Sequence, residues 1–314
     1  MVDPAAADTF RHMALLYGGP KEYLLGLRAF IQAGRAGGEA ILVAVPAASA
    51  RWIRRELGAE SAQLAFTDMT ELGRNPARII PEILGFMRKH PGRAARCVAE
   101  TTWPGRSAAE LHETARHEDL TNLAFREMRG TILCPYNTAG LASSVLADVE
   151  RRHPFLLTGE QEVPSTRYPG SAATRPGCDG LLPAPPGHAQ ALGYTADLRQ
   201  VRRFIGANSR HAGLEAGAAA DLVLAVSELT ANTLCHTCGG GTVTLWHTKH
   251  EVICQVQDSG VITDPLAGHR LPAADSPGGK GLWLVNQLCD LVQRKSTRTG
   301  TVTRLHMRLP VTET

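Results

Sequence analysis

The sequence predicts an α/β chain of two domains, and three observations carry that expectation. Short apolar runs alternate with helical patterns through the first half. From about residue 160 to residue 193 the chain becomes rich in proline and glycine and loses periodic apolar spacing, which reads as linker. Beyond it, an amphipathic helix and two short apolar strands follow in a different arrangement. The boundaries expected are a first domain over 1–158, a linker over 159–192 and a second domain over 193–314.

In the first half, residues 13–17, 40–45, 64–67, 95–99 and 131–134 read as short buried strands. Residues 21–36, 48–57, 76–90, 108–129 and 138–152 read as helices. Such alternation predicts a parallel sheet covered on both faces. In the second half, 197–204 opens as an entry helix and 221–229 repeats apolar residues at helical spacing. Residues 252–256 form a short apolar strand, and 300–305 a closing one.

With 314 residues, 43% hydrophobic and 20% charged, the chain can bury a core in each of two ordinary domains. No run of about 18 uncharged apolar residues predicts a membrane span. The start, Met1-Val2-Asp3-Pro4, has no basic segment leading an apolar one, so a cytoplasmic location is expected. A net charge of +3 and the lack of a basic helix argue against direct nucleic-acid binding. The 7 cysteines are odd in number and scattered, as reduced thiols are. Cys235-His236-Thr237-Cys238 has a chelating spacing, but neither Cys254 nor Cys289 supplies the second pair that a zinc site wants.

The chemistry concentrates in three segments of the second half: Ser227-Glu228-Leu229-Thr230-Ala231-Asn232 through His236, then Asp258-Ser259-Gly260, then Gly278-Gly279-Lys280-Gly281-Leu282-Trp283-Leu284-Val285. Glu228 and Asn232 are four apart and share one helix face. A carboxylate and a carboxamide there can hold hydrated Mg2+ and polarise a hydroxyl. Asp258 ends a strand, where it can accept a hydrogen bond from an adenine amino group. The glycines 278–281 precede an apolar helix, whose first amides then face phosphates. Each piece alone is weak, since E-x-x-x-N is commonly a solvated face and Gly-Gly a turn. Their order and spacing give the combination its force.

Together the segments resemble the three nucleotide-binding boxes of the histidine-kinase-like ATPase (Bergerat) fold shared by Hsp90, gyrase B and sensor kinases, and within it the bacterial anti-sigma serine kinases. The resemblance covers about residues 193–311 and implies an α/β sandwich. It implies ATP and Mg2+ as cofactors, Glu228 as general base and Asn232 as the Mg2+ residue. It assigns Asp258 to adenine, with Thr301 beside it, Gly279 and Gly281 to the phosphates, and Gly260, Lys280 and Leu282 to the same cofactor site. One departure stands out. Where most relatives read Asp-x-Gly-x-Gly, this chain has Asp258-Ser259-Gly260-Val261-Ile262, without the second glycine.

The first half resembles the MEDS sensory domain, similar in fold to the RecA and KaiC ATPases. The resemblance rests on residues 12–17, Glu100 with Trp103-Pro104-Gly105, Asn122, Cys134-Pro135-Tyr136-Asn137 and His153-Pro154. Its first strand is followed by Gly18-Gly19-Pro20-Lys21-Glu22-Tyr23, which is not a phosphate-binding P-loop, so a RecA/KaiC-like sheet without ATPase activity is expected. His12, Tyr17, Glu100, Trp103, His117 and Cys134 are expected near strand ends, where open α/β sheets bind ligands. The plainer reading makes His12 and His117 hydrogen-bonded core histidines and Trp103 packing. No ligand can be named from these residues.

The expected function is an anti-sigma factor of a partner-switching system. It would bind ATP-Mg, sequester a sigma factor and phosphorylate a serine of a STAS-domain anti-anti-sigma protein, under control of a small ligand or protein at the first domain. Relatives of the second domain often pair as homodimers. The altered Gly260-Val261-Ile262 segment keeps open a binding protein with weak or no catalysis. A sensor histidine kinase is a third reading, with His112 and His117 as the phosphoacceptors to inspect, although the phosphoacceptor box with its downstream proline is missing.

Overall fold

Every residue of Ala40–Val45 is buried, as expected of a strand covered on both faces, and the sheet built around it occupies the first half of the chain. The structure is a computed structural model, and it describes residues 10–170, 182–237, 239–271 and 279–310. Two compact units divide the chain, Met1–Pro176 and Gly177–Thr314.

In the first unit the order is β1 (Arg11–Tyr17), α1 (Pro20–Ala36), β2 (Ala40–Val45), α2 (Ala47–Leu57), β3 (Ala65–Asp68), α3 (Met69–Leu72), α4 (Ile79–Lys89), β4 (Ala95–Ala99), α5 (Ala108–Phe125), β5 (Gly130–Asn137), α6 (Ser143–Arg152), β6 (Phe155–Thr158) and β7 (Gln161–Pro164). The seven strands lie in the order β3-β2-β4-β5-β1-β6-β7. All pairs are parallel except β6 with β7. Pro135 sits inside the central strand β5 without breaking it. The β4 partner strand reaches only as far as the pair Val98–Leu133, so no ladder bond to β4 is required of the proline.

Side chains alternate along β1. Met13, Leu15 and Tyr17 join the apolar core with Tyr23, Leu27 and Ile31 of α1. His12 and Ala14 therefore face the other side, toward α5. That helix starts at a capping box, with Ser107 Oγ accepting from the Glu110 amide and Glu110 accepting from the Ser107 amide. Its buried face is polar, with Glu113, His117, Glu118, Thr121 and Asn122 all inside.

The second unit runs β8 (Gln190–Tyr194), α7 (Leu198–His211), α8 (Ala216–His236), β9 (Gly241–His247), β10 (Glu251–Asp258), α9 (Lys280–Leu288), β11 (Leu291–Thr297) and β12 (Gly300–Arg308). Its five strands form a fully antiparallel sheet in the order β11-β12-β10-β9-β8. The core joins Val201 and Ile205 of α7, Leu222, Val226 and Leu229 of α8, and Val243, Val252, Val256 and Leu305 of the sheet. This is the two-layer α/β architecture expected of the second half. By length and composition α8 is apolar enough to cross a membrane, but its Leu222, Val226 and Leu229 are committed to this core.

The proline-rich stretch is more structured than its composition predicts. It supplies an edge strand to each sheet, β7 to the first and β8 to the second. Edge strands tolerate Pro and Gly because one side of the ladder carries no partner. Cys97, Cys134, Cys254 and Cys289 are buried, Cys235 is exposed, and none of these five is in a disulfide. Burial pushes Cys97 up to about 12.

Candidate functional site

Asp258 is the last residue of β10, paired with Gly241 on one side and Thr301 on the other. Its carboxylate is held from two directions. Thr233 Oγ1 donates to Oδ2 over 2.7 Å, and the Gly260 amide donates to Oδ1 over 2.7 Å. Thr233 is itself fixed by the Tyr194 hydroxyl, which donates to it over 2.9 Å. A carboxylate offers about four acceptor positions, so two remain for an incoming donor. Thr301 Oγ1 donates to the Gly260 carbonyl at 2.7 Å and lies 2.8 Å from Ser296 Oγ. Thr233, Tyr194 and Ser296 carried no signal in the sequence, because their roles arise from contacts 25 or more residues distant or across strands.

Glu228 and Asn232 lie one turn apart on α8, both half-buried. Neither side chain makes a hydrogen bond or ion pair with the described residues. They face the first turn of α9 across Gly281. A Cβ at that position would stand 2.8 Å from Glu228 Oε2 and 3.4 Å from Asn232 Nδ2, so only glycine permits the approach. The residue before the helix, Gly279, takes the left-handed conformation at φ +84° and has no side chain with which to cap the helix. Gly279, at the N-cap, thus offers no side-chain cap to the first amides of α9. Gly278 lies outside the described residues.

These elements surround a cavity of 550 Å3. Asn232, Asp258, Gly260, Gly279, Gly281, Leu282 and Thr301 line it, together with apolar Leu229, Val256, Val261 and Ile262. Apolar walls, one oriented carboxylate and an uncapped helix N-terminus fit a planar base at one end and an anion at the other. His236 also lines the cavity. Its neighbour Cys238 lies outside the described residues, so the Cys235–Cys238 chelate has no geometry to weigh.

In the first unit the predicted residues separate into three places. Tyr17 and Glu100 meet at the C-terminal ends of β1 and β4, as expected. Tyr17 donates to Glu100 Oε1 over 2.9 Å and Tyr23 to Oε2 over 3.0 Å. Burial raises the Glu100 pKa and hydrogen bonds from Ser49, Tyr17 and Tyr23 only partly offset it. Burial, then Glu100, likewise push the Tyr17 hydroxyl up. Trp103 follows β4 and stacks under the Arg106 guanidinium, 3.6 Å from the ring centre.

His12, His117 and Cys134 depart from the strand-end expectation. His12 is near the start of β1, Cys134 is inside β5, and His117 is inside α5. His117 is buried beside Thr121, and burial lowers it to about 4, with the nearby Glu118 working against that shift. It is a neutral core histidine. His12 and Cys134 instead converge with Glu118 and His153, which the sequence reading did not single out as ligands. Nor is the turn after β1 a phosphate cradle. The Gly18 amide, which an anion would need, donates to Glu22 Oε2 over 2.6 Å.

Residues 11–154 match the family model described as the MEthanogen/methylotroph, DcmR Sensory domain (MEDS), and residues 194–307 that of the histidine kinase-like ATPase domain. No curated protein matches the chain. A solved structure, the RsbU and RsbW domains of Rv1364c from Mycobacterium tuberculosis, is 21% identical over 40% of this chain and 33% of that one, with a TM-score of 0.30. Overlap that shallow, spanning a third of the other chain, carries no argument about function. The two matched regions coincide with the parallel sheet and with the antiparallel sheet that holds the cavity: the chain is a MEDS sensory domain followed by a histidine kinase-like ATPase domain.

Proposed function

We propose that the second domain binds ATP with Mg2+ and works as an anti-sigma factor. In this reading it sequesters a sigma factor and phosphorylates a serine of a STAS-domain anti-anti-sigma protein, with the MEDS domain biasing the outcome through a ligand of its own. The observation that carries the reading is the pairing of Glu228 and Asn232 on one face of α8, free of hydrogen bonds to the described residues and packed against Gly281 at the start of α9. A free carboxylate and carboxamide beside an uncapped helix start serve phosphoryl transfer, which asks a protein for positioning and charge stabilisation.

Bound ATP supplies the transferable phosphoryl group, and Mg2+ offsets charge on the triphosphate. The chain does the rest. Asp258, oriented by Thr233 and Gly260, would accept from the adenine amino group, and Leu229, Val256 and Ile262 of the cavity wall would face the base. Gly279, Lys280, Gly281 and Leu282 hold phosphates at the helix start. Asn232 would hold Mg2+. Glu228 would take the proton of the substrate serine hydroxyl as its oxygen bonds to the terminal phosphorus of ATP and the bond to ADP breaks.

A second reading rests on Ile262, which stands in the cavity wall at the position where most relatives carry the second glycine of Asp-x-Gly-x-Gly. In it the domain keeps nucleotide and sigma binding without efficient turnover. His117 gives no support to a sensor histidine kinase, because only 3% of it is exposed and a phosphoacceptor must reach a second active site. Incubating the full chain with radiolabelled ATP, Mg2+, a STAS protein and a sigma factor distinguishes the two. Label on a STAS serine upholds the kinase. Sigma binding with no label on any partner upholds the binding protein.

A further inference from the structure

Four side chains from separate elements of the first unit point their donor atoms at one spot: His12 from β1, Cys134 from β5, Glu118 from α5, and His153 just after α6. All are buried, at 1%, 1%, 2% and 0% exposure. His12 Nε2 lies 3.1 Å from Glu118 Oε2 and 3.4 Å from Cys134 Sγ. Cys134 Sγ and His153 Nε2 each lie 3.5 Å from the same Glu118 oxygen. All four donors fall within 4.8 Å of one another. Ligand bonds of about 2.0–2.3 Å in a tetrahedron place ligand atoms about 3.3–3.8 Å apart. Four of the separations, 3.1–3.5 Å, are already close to that range, and the rest are within 4.8 Å.

The hydrogen bonds around the cluster fix what each ring presents. Asn122 Nδ2 donates to the carbonyls of Arg152 and Glu118, which turns its Oδ1 toward His12. His12 Nδ1–H therefore donates to Asn122 Oδ1 over 3.1 Å. His153 Nδ1–H donates to the Val149 carbonyl over 2.8 Å. With Nδ1 occupied in this way, each ring turns its Nε2 to the centre. There the two nitrogens meet a carboxylate oxygen and a thiol sulfur. His153 Nε2 is buried and makes no hydrogen bond beyond its ion-pair approach to Glu118. Metal-ligand atom types converging on one buried point, each oriented from outside, are what a cation site requires. The other Glu118 oxygen accepts from Thr101 Oγ1 over 2.6 Å, so the carboxylate too is oriented from outside.

The geometry points to a buried tetrahedral site for a divalent transition-metal ion, held by His12 Nε2, Glu118 Oε2, Cys134 Sγ and His153 Nε2 of the MEDS domain. Charge supports it. A thiolate and a carboxylate bring −2 and two neutral imidazoles bring none, so a divalent ion makes the buried cluster neutral. Two nitrogens, one sulfur and one oxygen suit Zn2+ and its first-row neighbours, and they do not suit Mg2+ or Ca2+, which take oxygen ligands. Asn122, Val149 and Thr101 form the outer hydrogen-bonded shell that such sites carry. With no solvent-exposed ligand, the ion enters as the domain folds or opens, and its binding adds to stability.

Co2+ titration of the full chain, stripped with a chelator, tests this. Expected are the intense visible bands of tetrahedral Co2+ with a thiolate charge-transfer band, saturating at about one ion per chain and displaced by Zn2+. Cys134→Ser should lose the charge-transfer band, whereas Cys235→Ser, at the exposed thiol of the second domain, should keep it. Thr101→Val, which leaves all four ligands, should weaken Co2+ affinity about 10–100-fold. Folding of each variant is checked by circular dichroism, and if Cys134→Ser does not fold, Glu118→Gln replaces it, with affinity as the readout. A folded, metal-free chain that shows no spectral change in excess Co2+ overturns the site. So does a charge-transfer band that survives in folded Cys134→Ser but disappears in Cys235→Ser.

Discussion

Thr233 Oγ1 stands 2.7 Å from Asp258 Oδ2, so a threonine of helix α8 sets the orientation of the carboxylate at the end of strand β10. Tyr194 on β8 then donates to the same threonine, and three elements converge on one acidic side chain. Through this contact, helix and sheet share control of the cavity.

Thr233→Val keeps the side-chain shape but leaves the buried Tyr194 hydroxyl without its acceptor and removes one of the two donors that hold Asp258, the Gly260 amide remaining. The expected cost is about 1–3 kcal/mol of stability, with nucleotide affinity weakened because Asp258 is then held from one side only. Asp258→Ala should abolish nucleotide binding outright while the fold persists. Urea denaturation and isothermal titration measure the two effects separately. Unchanged ATP affinity in Asp258→Ala would remove Asp258 from the nucleotide site.

Gly281→Ala probes the close approach of α9 to α8. The added methyl would meet Glu228 Oε2 at 2.8 Å, and that atom ends a flexible side chain. The domain can therefore accept the change at a cost of about 1 kcal/mol or less, since alanine also favours the helix. The displaced carboxylate cannot hold its position, so phosphoryl transfer should fall much further than stability does. Equal losses in both would mean that the glycine serves packing alone.

What the sequence reveals follows the range of the interactions. Local periodicity locates the strands and helices of the parallel sheet, and the order of three short segments picks out Asn232, Asp258 and Gly281, which line one cavity, and Glu228, which stands against Gly281 outside that lining. Contacts between distant residues leave no such trace. The convergence of Glu118 and His153 on His12 spans 106 and 141 residues, and no spacing rule reaches that far. The polar buried face of α5 also hides its amphipathic pattern. Composition misleads at β7 and β8, because proline and glycine signal a loop and an edge strand alike.

Glu100 ties the first domain's stability to pH. Burial holds its folded pKa above the ordinary 4.5, so the folded state keeps the proton longer than the unfolded chain does. A group shifted upward contributes stability below the unfolded pKa and loses it as pH rises through the folded value. The stability difference between wild type and Glu100→Gln should accordingly move in favour of the variant as pH climbs from 4.5 through the folded pKa. Denaturant midpoints for both proteins across that range provide the check. Parallel pH profiles would mean that Tyr17 and Tyr23 fully compensate the buried charge.

Glu228→Gln separates chemistry from binding. The amide keeps the shape and reach of the carboxylate beside Gly281 but cannot take a proton from a serine hydroxyl. General-base loss costs about 10²–10⁴ in rate, a range that radiolabel transfer to a STAS protein resolves. ATP affinity should change little, because Asp258 and the start of α9 grip the nucleotide without it. On the proposed reading sigma binding should also persist, since the substitution leaves the surface outside the cavity unchanged. A Glu228→Gln chain that transfers phosphate at the wild-type rate would deny Glu228 the role of base and leave the charge of the site, with Asn232 and the uncapped helix, as the source of any catalysis.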